Sequence, residues 1–202
     1  MFPNLSEDLR RYGDLRHQFK ALLLVPPVWA IVTYRFRSYL GAARIPSLVR
    51  LPLKVVGRLA AFFVEAVTHI ELPPQTIIGP GLFLPHAGYV IVASNATIGR
   101  HCTLTQGVSI GHRAGGRKAS FDSPVLGNRV YVGPGAAILG PVNVGDDVLI
   151  GANAVVIDSI SSRAVVVGNP GRVISRQGSF QLINYPSMEY DAERLASLAE
   201  AS

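Results

Sequence analysis

His86 lies in the motif Leu84-Pro85-His86-Ala87-Gly88 and is a candidate general base. An imidazole exchanges a proton near neutral pH, so it can take the proton from a hydroxyl group as that group attacks a carbonyl. The motif interrupts a regular pattern, because the step from Leu84 to the next in-phase aliphatic residue, Val92, is eight rather than six. The two extra residues predict a local bulge beside His86. A histidine bonded only to backbone at a corner is the alternative interpretation.

A basic, glycine-rich insert forms a second candidate recognition element. Residues 111–120 have no period and separate Ile110 from Leu126, the next residue in phase. Loops that project from a rigid scaffold often carry recognition. A surface excursion without function fits the same residues, so both interpretations stay open here.

Metal chemistry and thiol chemistry have little support in this sequence. His101 and His112 suggest a metal site only if a third ligand follows at matching spacing, and none does, so we predict no metal. Cys102 is the single cysteine, which excludes an intramolecular disulfide framework. It falls on a small inward position of the repeat, so we expect a packed apolar residue.

The element that must position these residues is a repeat of six. Branched aliphatic residues recur at this spacing, and a glycine often follows directly. The phase holds over six consecutive units from Leu126. The aliphatic positions are Ile98, Leu104, Ile110, Leu126, Val132, Ile138, Val144, Ile150 and Val156.

A period of six fits neither an α-helix nor a plain amphipathic strand. It fits a chain that makes a short flat run, turns and repeats, as in a parallel β-helix built from hexapeptides. Unrelated strands of a β-sandwich would show turn signals at 8–12-residue spacing and no fixed phase. The sequence therefore predicts a mostly β fold, with the β-helix at residues 71–176.

The segment before the repeat has a different composition. Residues 1–70 hold ten Lys and Arg against four acids, so the whole net charge of +6 belongs to them. Residues 21–33 are apolar but contain Pro26-Pro27, and a spanning helix needs about 20 uninterrupted apolar residues. A second helical pattern runs from Leu51 to Ile70. We predict an N-terminal helical domain at 1–70 and a C-terminal tail with a short helix at 177–202.

Two interpretations of the basic helical domain compete. It either caps the β-helix and packs on neighbouring subunits, or residues 21–70 contact anionic lipid at a membrane surface. We favour the first. A nucleic-acid partner is not expected, because no recognised motif is present. Charged residues before the first apolar run do not fit a secretory signal, so we predict a cytoplasmic protein, with peripheral membrane contact left open.

Three motifs together resemble one known family. They are Leu-Pro-His-Ala-Gly at 84–88, Gly-Val-Ser-Ile-Gly at 107–111 and Gly-Asn-Pro-Gly-Arg-Val-Ile at 168–174. With the hexapeptide repeat they resemble the serine acetyltransferase-like branch of the left-handed β-helix acyltransferases. The similarity covers about residues 70–176, with a helical segment in front.

The resemblance implies an acetyl-CoA-dependent O-acetyltransferase that assembles as a homotrimer or a dimer of trimers. Active sites would lie in clefts between adjacent β-helices, with acetyl-CoA along the groove. His86 matches the catalytic histidine of the family, and Glu71 falls where the family places the carboxylate partner, usually an aspartate. That carboxylate would fix the tautomer of the imidazole and stabilise its charged form.

Other residues are assigned roles toward acetyl-CoA on the same basis. Transfer from a thioester needs donors for the developing oxyanion, and backbone N–H groups of Gly107 or Gly111 are candidates. Basic side chains are candidates for the CoA phosphates. These are Arg113, Arg117, Lys118, Arg172 and Arg176.

The acceptor pocket departs from the pattern of the serine enzymes. The serine enzymes carry an aspartate directly before the catalytic histidine, whereas this chain has Pro85 there. Further along they carry Arg-His, whereas this chain has Asp122 and Ser123 at the matching positions. A pocket that loses hydrogen-bonding groups loses its preference for the molecule they hold. We therefore predict a sugar hydroxyl in surface polysaccharide synthesis as acceptor. Serine O-acetyltransferase of cysteine biosynthesis and a non-catalytic β-helix scaffold are the alternatives.

Overall fold

The computed structural model describes residues 2–43, 45–113 and 122–200. Within them, helices precede a long series of short strands, and one more helix follows near the C-terminus. The helices are α1 (Phe2–Arg10), α2 (Leu15–Leu24), α3 (Pro26–Ala42), α4 (Ser47–Thr68) and α5 (Ala192–Ala199), with a 3-10 turn at Met188–Tyr190.

The strands contain two to four residues each. They are β1 (Ile70–Glu71), β2 (Ile77–Ile78), β3 (Val90–Val92), β4 (Thr97–Ile98), β5 (Thr103–Leu104), β6 (Ser109–Gly111), β7 (Val125–Leu126), β8 (Tyr131–Val132), β9 (Ala137–Leu139), β10 (Asn143–Val144), β11 (Leu149–Ile150), β12 (Val155–Val156), β13 (Val165–Val167) and β14 (Arg172–Ser175).

Three sheets make the three sides of a column. Sheet A has the order β1-β3-β6-β9-β12, sheet B has β2-β4-β7-β10, and sheet C has β5-β8-β11-β13-β14. Except for β13 and β14, strands that follow each other along the chain belong to different sheets, and every pair except β13–β14 is parallel. The middle coils contribute one strand to each side, and isolated bridges at Phe83 and Ile160 take the place of a strand in the first and last coils. This is the predicted parallel β-helix.

The hexapeptide phase sets the register and fills the core. Ile98 pairs with Leu126 and Leu126 with Val144, so aliphatic residues of successive coils stack. All nine aliphatic positions of the repeat are at most 3% exposed. Burial of one such side chain contributes about 1.5–3 kcal/mol, so the stacked rows supply most of the stabilisation of the column. Cys102 is buried as expected, and burial raises the pKa of its thiol to about 12.

Glycine is required where one coil lies directly on the next. A Cβ atom at Gly99 would overlap the backbone carbonyl of Gly127 in the following coil. The glycines that follow the aliphatic residues therefore allow the corners to stack closely.

A buried ion pair joins the helices to the column. Arg35 of α3 donates from Nε and Nη2 to the two carboxylate oxygens of Asp8 of α1, at 2.8 and 2.9 Å. The same guanidinium donates to the carbonyls of Ile78 and Gly79, each at 2.6 Å, and Asp8 accepts from the N–H of Leu82. Because the guanidinium and both carboxylate oxygens are hydrogen-bonded, this ion pair fixes the helices on the first coil without leaving an unpaired buried charge.

Helix α3 closes the first end of the column. Ala30, Ile31 and Tyr34 belong to the same buried cluster as the β-helix core, and the Tyr34 hydroxyl donates to the carbonyl of Thr76 at 2.7 Å. Pro26 and Pro27 begin this helix, where the missing N–H groups cost nothing. No single described helix is long and apolar enough to cross a membrane, and only α2 and α3 together, bent by 90°, pass that test by length and composition.

The C-terminal tail packs along the corner between sheets B and C. Tyr185 stacks on His101, with ring centroids 3.9 Å apart. Arg194 of α5 donates to the carbonyls of Ile183 and Phe180, which holds the tail in a compact form. The tail therefore covers the column along several coils.

Candidate active site

His86 lies at the corner between sheets C and A, in the bulge that the eight-residue step predicts. Its side chain is exposed. The bulge is held on both sides: the Tyr12 hydroxyl donates to the carbonyl of Leu84 at 3.0 Å, and the N–H of Gly88 donates to the carbonyl of Thr68 at 2.9 Å. The fold thus presents an accessible imidazole on a fixed backbone, as a general base requires.

Glu71 lies on the first strand of sheet A, the sheet that begins just after the bulge. It pairs with Ile91, five residues beyond His86, and its side chain is exposed. Among the described residues no hydrogen bond or ion pair joins Glu71 to His86, and neither side chain has another such partner. The catalytic pairing of the two residues stays a prediction.

His69 and Tyr89 flank the same bulge, and sequence reasoning did not find them. His69 ends α4, and both residues take left-handed backbone conformations, with φ of 55° and 51°. Their rings lie 4.8 Å apart at 35°. Both lie three residues before an inward aliphatic residue, at the corner position where His101, Arg129 and Asn153 also have positive φ. The backbone conformation therefore follows from the repeat, and only the pairing of the two rings beside His86 singles them out.

Gln106 lies one coil further along this corner. Its side-chain Oε1 is buried and has no hydrogen-bond partner among the described residues. The adjacent Gly107 donates its N–H to the carbonyl of Gly88 at 2.8 Å. This N–H is therefore occupied, which corrects the expectation that Gly107 is a free oxyanion donor. Oε1 of Gln106 is therefore an acceptor left unpaired beside the bulge.

A second cluster lies at the corner between sheets A and B. The Ser123 hydroxyl donates to Asn95 Oδ1 and lies 3.4 Å from Nδ1 of His112. The same ring nitrogen is 3.5 Å from the carbonyl of Asp122. Ser123 is buried, whereas His112 and Asp122 are exposed. Ser123 is thus engaged within the corner.

The two clusters lie at opposite edges of sheet A. His86, Pro85 and Gly107 belong to the edge that sheet A shares with sheet C, whereas Asp122 and Ser123 belong to the edge that it shares with sheet B. Gly111 is the last residue of β6 and pairs with Leu139 within the sheet. One chain therefore does not bring the predicted acceptor residues together.

The predicted phosphate ligands divide in the same way. Arg113 is exposed beside the second cluster, and Arg117 and Lys118 lie outside the described residues. Arg172 and Arg176 are exposed on the last coil, where Arg176 donates to Ser161 Oγ at 3.0 Å. Three strand spacings separate the coil of His86 from the last strand of sheet A, which is about 14 Å. An extended cosubstrate can span that length along the column.

Within the described residues no group of three His, Cys, Asp or Glu side chains is arranged to hold a metal ion. His101 lies under the C-terminal tail and His112 at the corner between sheets A and B, so the two histidines are at different corners.

Comparison with known proteins identifies the family. Residues 123–158 match the family described as bacterial transferase hexapeptide (six repeats). The chain is 35% identical over 182 residues to a serine acetyltransferase of Synechococcus elongatus, which covers 88% of this chain and 70% of that protein. It is 37% identical over 173 residues to one of Helicobacter pylori, which covers 86% and 95%. The chain belongs to the serine acetyltransferase-like branch of the hexapeptide-repeat acyltransferases.

A solved structure supports the same assignment. The serine acetyltransferase of Brucella abortus, in complex with coenzyme A, superposes with a TM-score of 0.72 at 25% identity, and covers 88% of this chain and 68% of that chain. The column is accordingly a left-handed β-helix. This acyltransferase is an enzyme that transfers an acetyl group from acetyl-CoA to oxygen, and the exposed His86 on its fixed bulge suits that chemistry.

Proposed function

We propose that this O-acetyltransferase acetylates the hydroxyl group of L-serine, with His86 as its general base. The observation that carries the proposal is the extent of the similarity, which reaches 86% of this chain and 95% of the Helicobacter pylori relative named serine acetyltransferase. Sequence reasoning placed a sugar hydroxyl first and serine second. The comparisons support serine better and give no support to a polysaccharide pathway.

In the proposed reaction, the imidazole of His86 takes the proton of the acceptor hydroxyl as its oxygen attacks the thioester carbonyl. The tetrahedral intermediate collapses with breakage of the C–S bond. The proton then passes from the imidazolium to the leaving sulfur, so the products are an O-acetyl ester and free CoA. Glu71 is proposed to orient the imidazole and to stabilise its charged form, once ligand binding or assembly brings the two side chains together.

The complete site is proposed to form between subunits of a homotrimer or of a dimer of trimers. What supports this is the position of the two clusters at opposite edges of sheet A, because copies around a three-fold axis bring one edge of each column to its neighbour. Acetyl-CoA would then lie along the seam, with Arg113 or the last-coil residues Arg172 and Arg176 near its phosphates. Because acetyl-CoA is used inside the cell, the proposed location is the cytoplasm.

A second acceptor is favoured by one specific observation. Pro85 carries no side-chain hydrogen-bonding group, and the Ser123 hydroxyl is already bound to Asn95. Neither residue offers the charged partners that an amino acid's ammonium and carboxylate groups need. A sugar hydroxyl, which needs no such partners, is therefore the second candidate.

Release of CoA from acetyl-CoA separates these functions. A thiol reagent detects the product directly, and the single thiol of the protein is buried and does not interfere. Release that depends on L-serine, with O-acetylserine identified by mass spectrometry, supports the first proposal. Release only with sugars overturns it in favour of the second, and absence of both release and acetyl-CoA binding leaves a scaffold role.

A further inference from the structure

The outward face of helix α4 is apolar along its whole length. The inward stripe, Gly57, Ala61, Val64 and Thr68, is buried against the rest of the chain. On the opposite side, which we name the α4 outer face, every large side chain is apolar and 47 to 88% exposed. Its members are Leu48, Val49, Leu51, Val55, Val56, Leu59, Phe62, Phe63 and Val67. A helix of 22 residues extends about 33 Å, so this face is far larger than the scattered apolar groups of an ordinary surface.

A basic flank borders the α4 outer face on one side. Lys54 and Arg58 of α4 and Arg37 of α3 line a hollow of about 340 Å³, together with Leu40, Gly41, Pro74 and Gln75. Lys54 and Arg50 also line a hollow of about 330 Å³ at the start of α4. Arg37 has an ion-pair partner, Glu65, at 3.5 Å. Within the described part of the chain, Arg50, Lys54 and Arg58 have none, so these hollows present uncompensated positive charge.

The charges of the helical segment indicate what covers this surface. Its four acids already have partners: Glu7, Asp8 and Glu65 form ion pairs with Arg10, Arg35 and Arg37, and Asp14 is hydrogen-bonded to the backbone and ring of His17. A second copy of the segment would supply apolar area but no spare carboxylate for the three cations. An anionic lipid leaflet supplies both an apolar layer and phosphates above it.

We propose that the α4 outer face docks on an anionic lipid bilayer, with the helix in the plane of the interface and a headgroup phosphate in the hollow of Arg37, Lys54 and Arg58. The apolar side chains enter the boundary between headgroups and acyl chains. The long side chains of the basic flank reach the phosphates while their stems stay along the apolar face. This docking goes beyond acetyl transfer and does not depend on the acceptor.

Flotation of the full chain with vesicles tests the proposal. Vesicles of phosphatidylcholine alone are compared with vesicles that also contain phosphatidylglycerol. The protein is expected to float with the anionic vesicles and to stay behind with the neutral ones. Salt at about 0.5 M should weaken binding, because charge attraction at a surface is screened over a few ångströms. Equal behaviour with both kinds of vesicle overturns the proposal.

Two variants and their controls assign the contact to this face. Lys54→Gln/Arg58→Gln is expected to weaken binding to anionic vesicles by about 10- to 30-fold, because each basic residue near such a surface contributes about fivefold. Leu59→Gln/Phe62→Gln should abolish flotation. Arg163→Gln and Tyr190→Gln, which change a cation and an exposed aromatic outside the helical segment, should leave it unchanged.

Two further measurements separate the remaining occupants. If inorganic phosphate displaces the protein from anionic vesicles no better than chloride of equal ionic strength, the lipid surface is the ligand. If inorganic phosphate displaces the protein from the vesicles and chloride of equal ionic strength does not, the hollow is a site for free phosphate and the docking proposal fails. If Leu59→Gln/Phe62→Gln lowers the mass of the assembly in solution and no vesicle binding is seen, the face is an interface between copies.

Discussion

The corner between sheets C and A and the corner between sheets B and C use the same kinds of residue. The first has His86 in its bulge and Glu71 on the adjoining sheet, both exposed and without a partner among the described residues. The second has His101, Arg129 and Asp147 in successive coils, all with φ between 55° and 58° and all covered by the C-terminal tail.

The ion pair at the covered corner is fully hydrogen-bonded, whereas Nδ1 of His101 and Nε of Arg100 are buried without a hydrogen-bond partner among the described residues. Arg129 is 1% exposed and donates to both carboxylate oxygens of Asp147, at 2.7 and 2.9 Å. Burial lowers the pKa of Arg129, but the hydrogen bonds and charge of Asp147 outweigh it and raise that pKa above its ordinary value. The difference between the corners teaches that cover, more than residue type, separates a structural histidine from a reactive one, because His101 lies under Tyr185 whereas His86 is exposed.

The largest expected effect is on activity at the open corner. His86→Ala removes the proposed base and should lower kcat/KM by about 10²- to 10⁴-fold, measured as acceptor-dependent release of CoA. The free energy of unfolding should change little, since the side chain is exposed. His101→Asn at the covered corner is the matched control and should keep full activity at neutral pH. Equal loss in both variants would contradict the distinction between the corners.

At the covered corner the largest expected effect is on stability. Asp147→Asn removes the closest carboxylate from the buried guanidinium of Arg129, which Glu193, Asp191 and Asp146 approach only to 3.4–3.9 Å, so the free energy of unfolding should fall by up to about 3 kcal/mol. The midpoint of urea unfolding measures the change. Asp158→Asn, at an exposed site on a later coil, is the control and should stay within about 0.5 kcal/mol of the parent. If Asp147→Asn lowers the free energy of unfolding no more than Asp158→Asn does, the ion pair of Arg129 and Asp147 does not contribute to stability.

His101 makes the stability of the covered corner depend on pH. Burial lowers the pKa of His101 to about 4, and the nearby Arg11 and Arg100 add to the effect. The unfolded chain takes up this proton near pH 6.5, whereas the folded chain resists it down to about pH 4. The free energy of unfolding should therefore fall as pH falls through this window, by at most about 3 kcal/mol from this group.

The variant His101→Asn isolates that contribution. Asparagine tolerates the left-handed backbone at this position and does not titrate. Urea midpoints measured between pH 4 and pH 6.5 should depend less steeply on pH in this variant than in the parent. His17→Asn, which removes an exposed histidine on α2, should keep the slope of the parent. Equal slopes in parent and His101→Asn would show that the buried imidazole is not the source.

The sequence predicted the column well because its signal is local and repeats. The aliphatic residue of each hexapeptide meets the same environment in every coil, so its inward position follows from the phase alone. The bulge at His86 was visible as a break in that phase. Arg129 and His101 could not be assigned to a covered corner, because the cover comes from tail residues such as Tyr185, more than fifty positions away. The sequence also could not show that the predicted acceptor residues lie at opposite edges of sheet A, because their positions depend on the order of the strands.

The smallest expected effect tests whether Glu71 belongs with His86. Glu71→Gln keeps the size of the side chain and removes the charge that is proposed to stabilise the imidazolium, so kcat should fall by about tenfold. The midpoint of urea unfolding should stay unchanged, because the side chain of Glu71 is exposed. A merely structural role would lower that midpoint together with kcat.

Glu71→Asp is the control, since it restores the charge on a shorter side chain and should recover the rate in part. If Glu71→Gln leaves kcat unchanged, His86 acts without this carboxylate. The imidazole would then need another orienting group, and His69 and Tyr89, whose rings lie together beside the same bulge, are the side chains to change next.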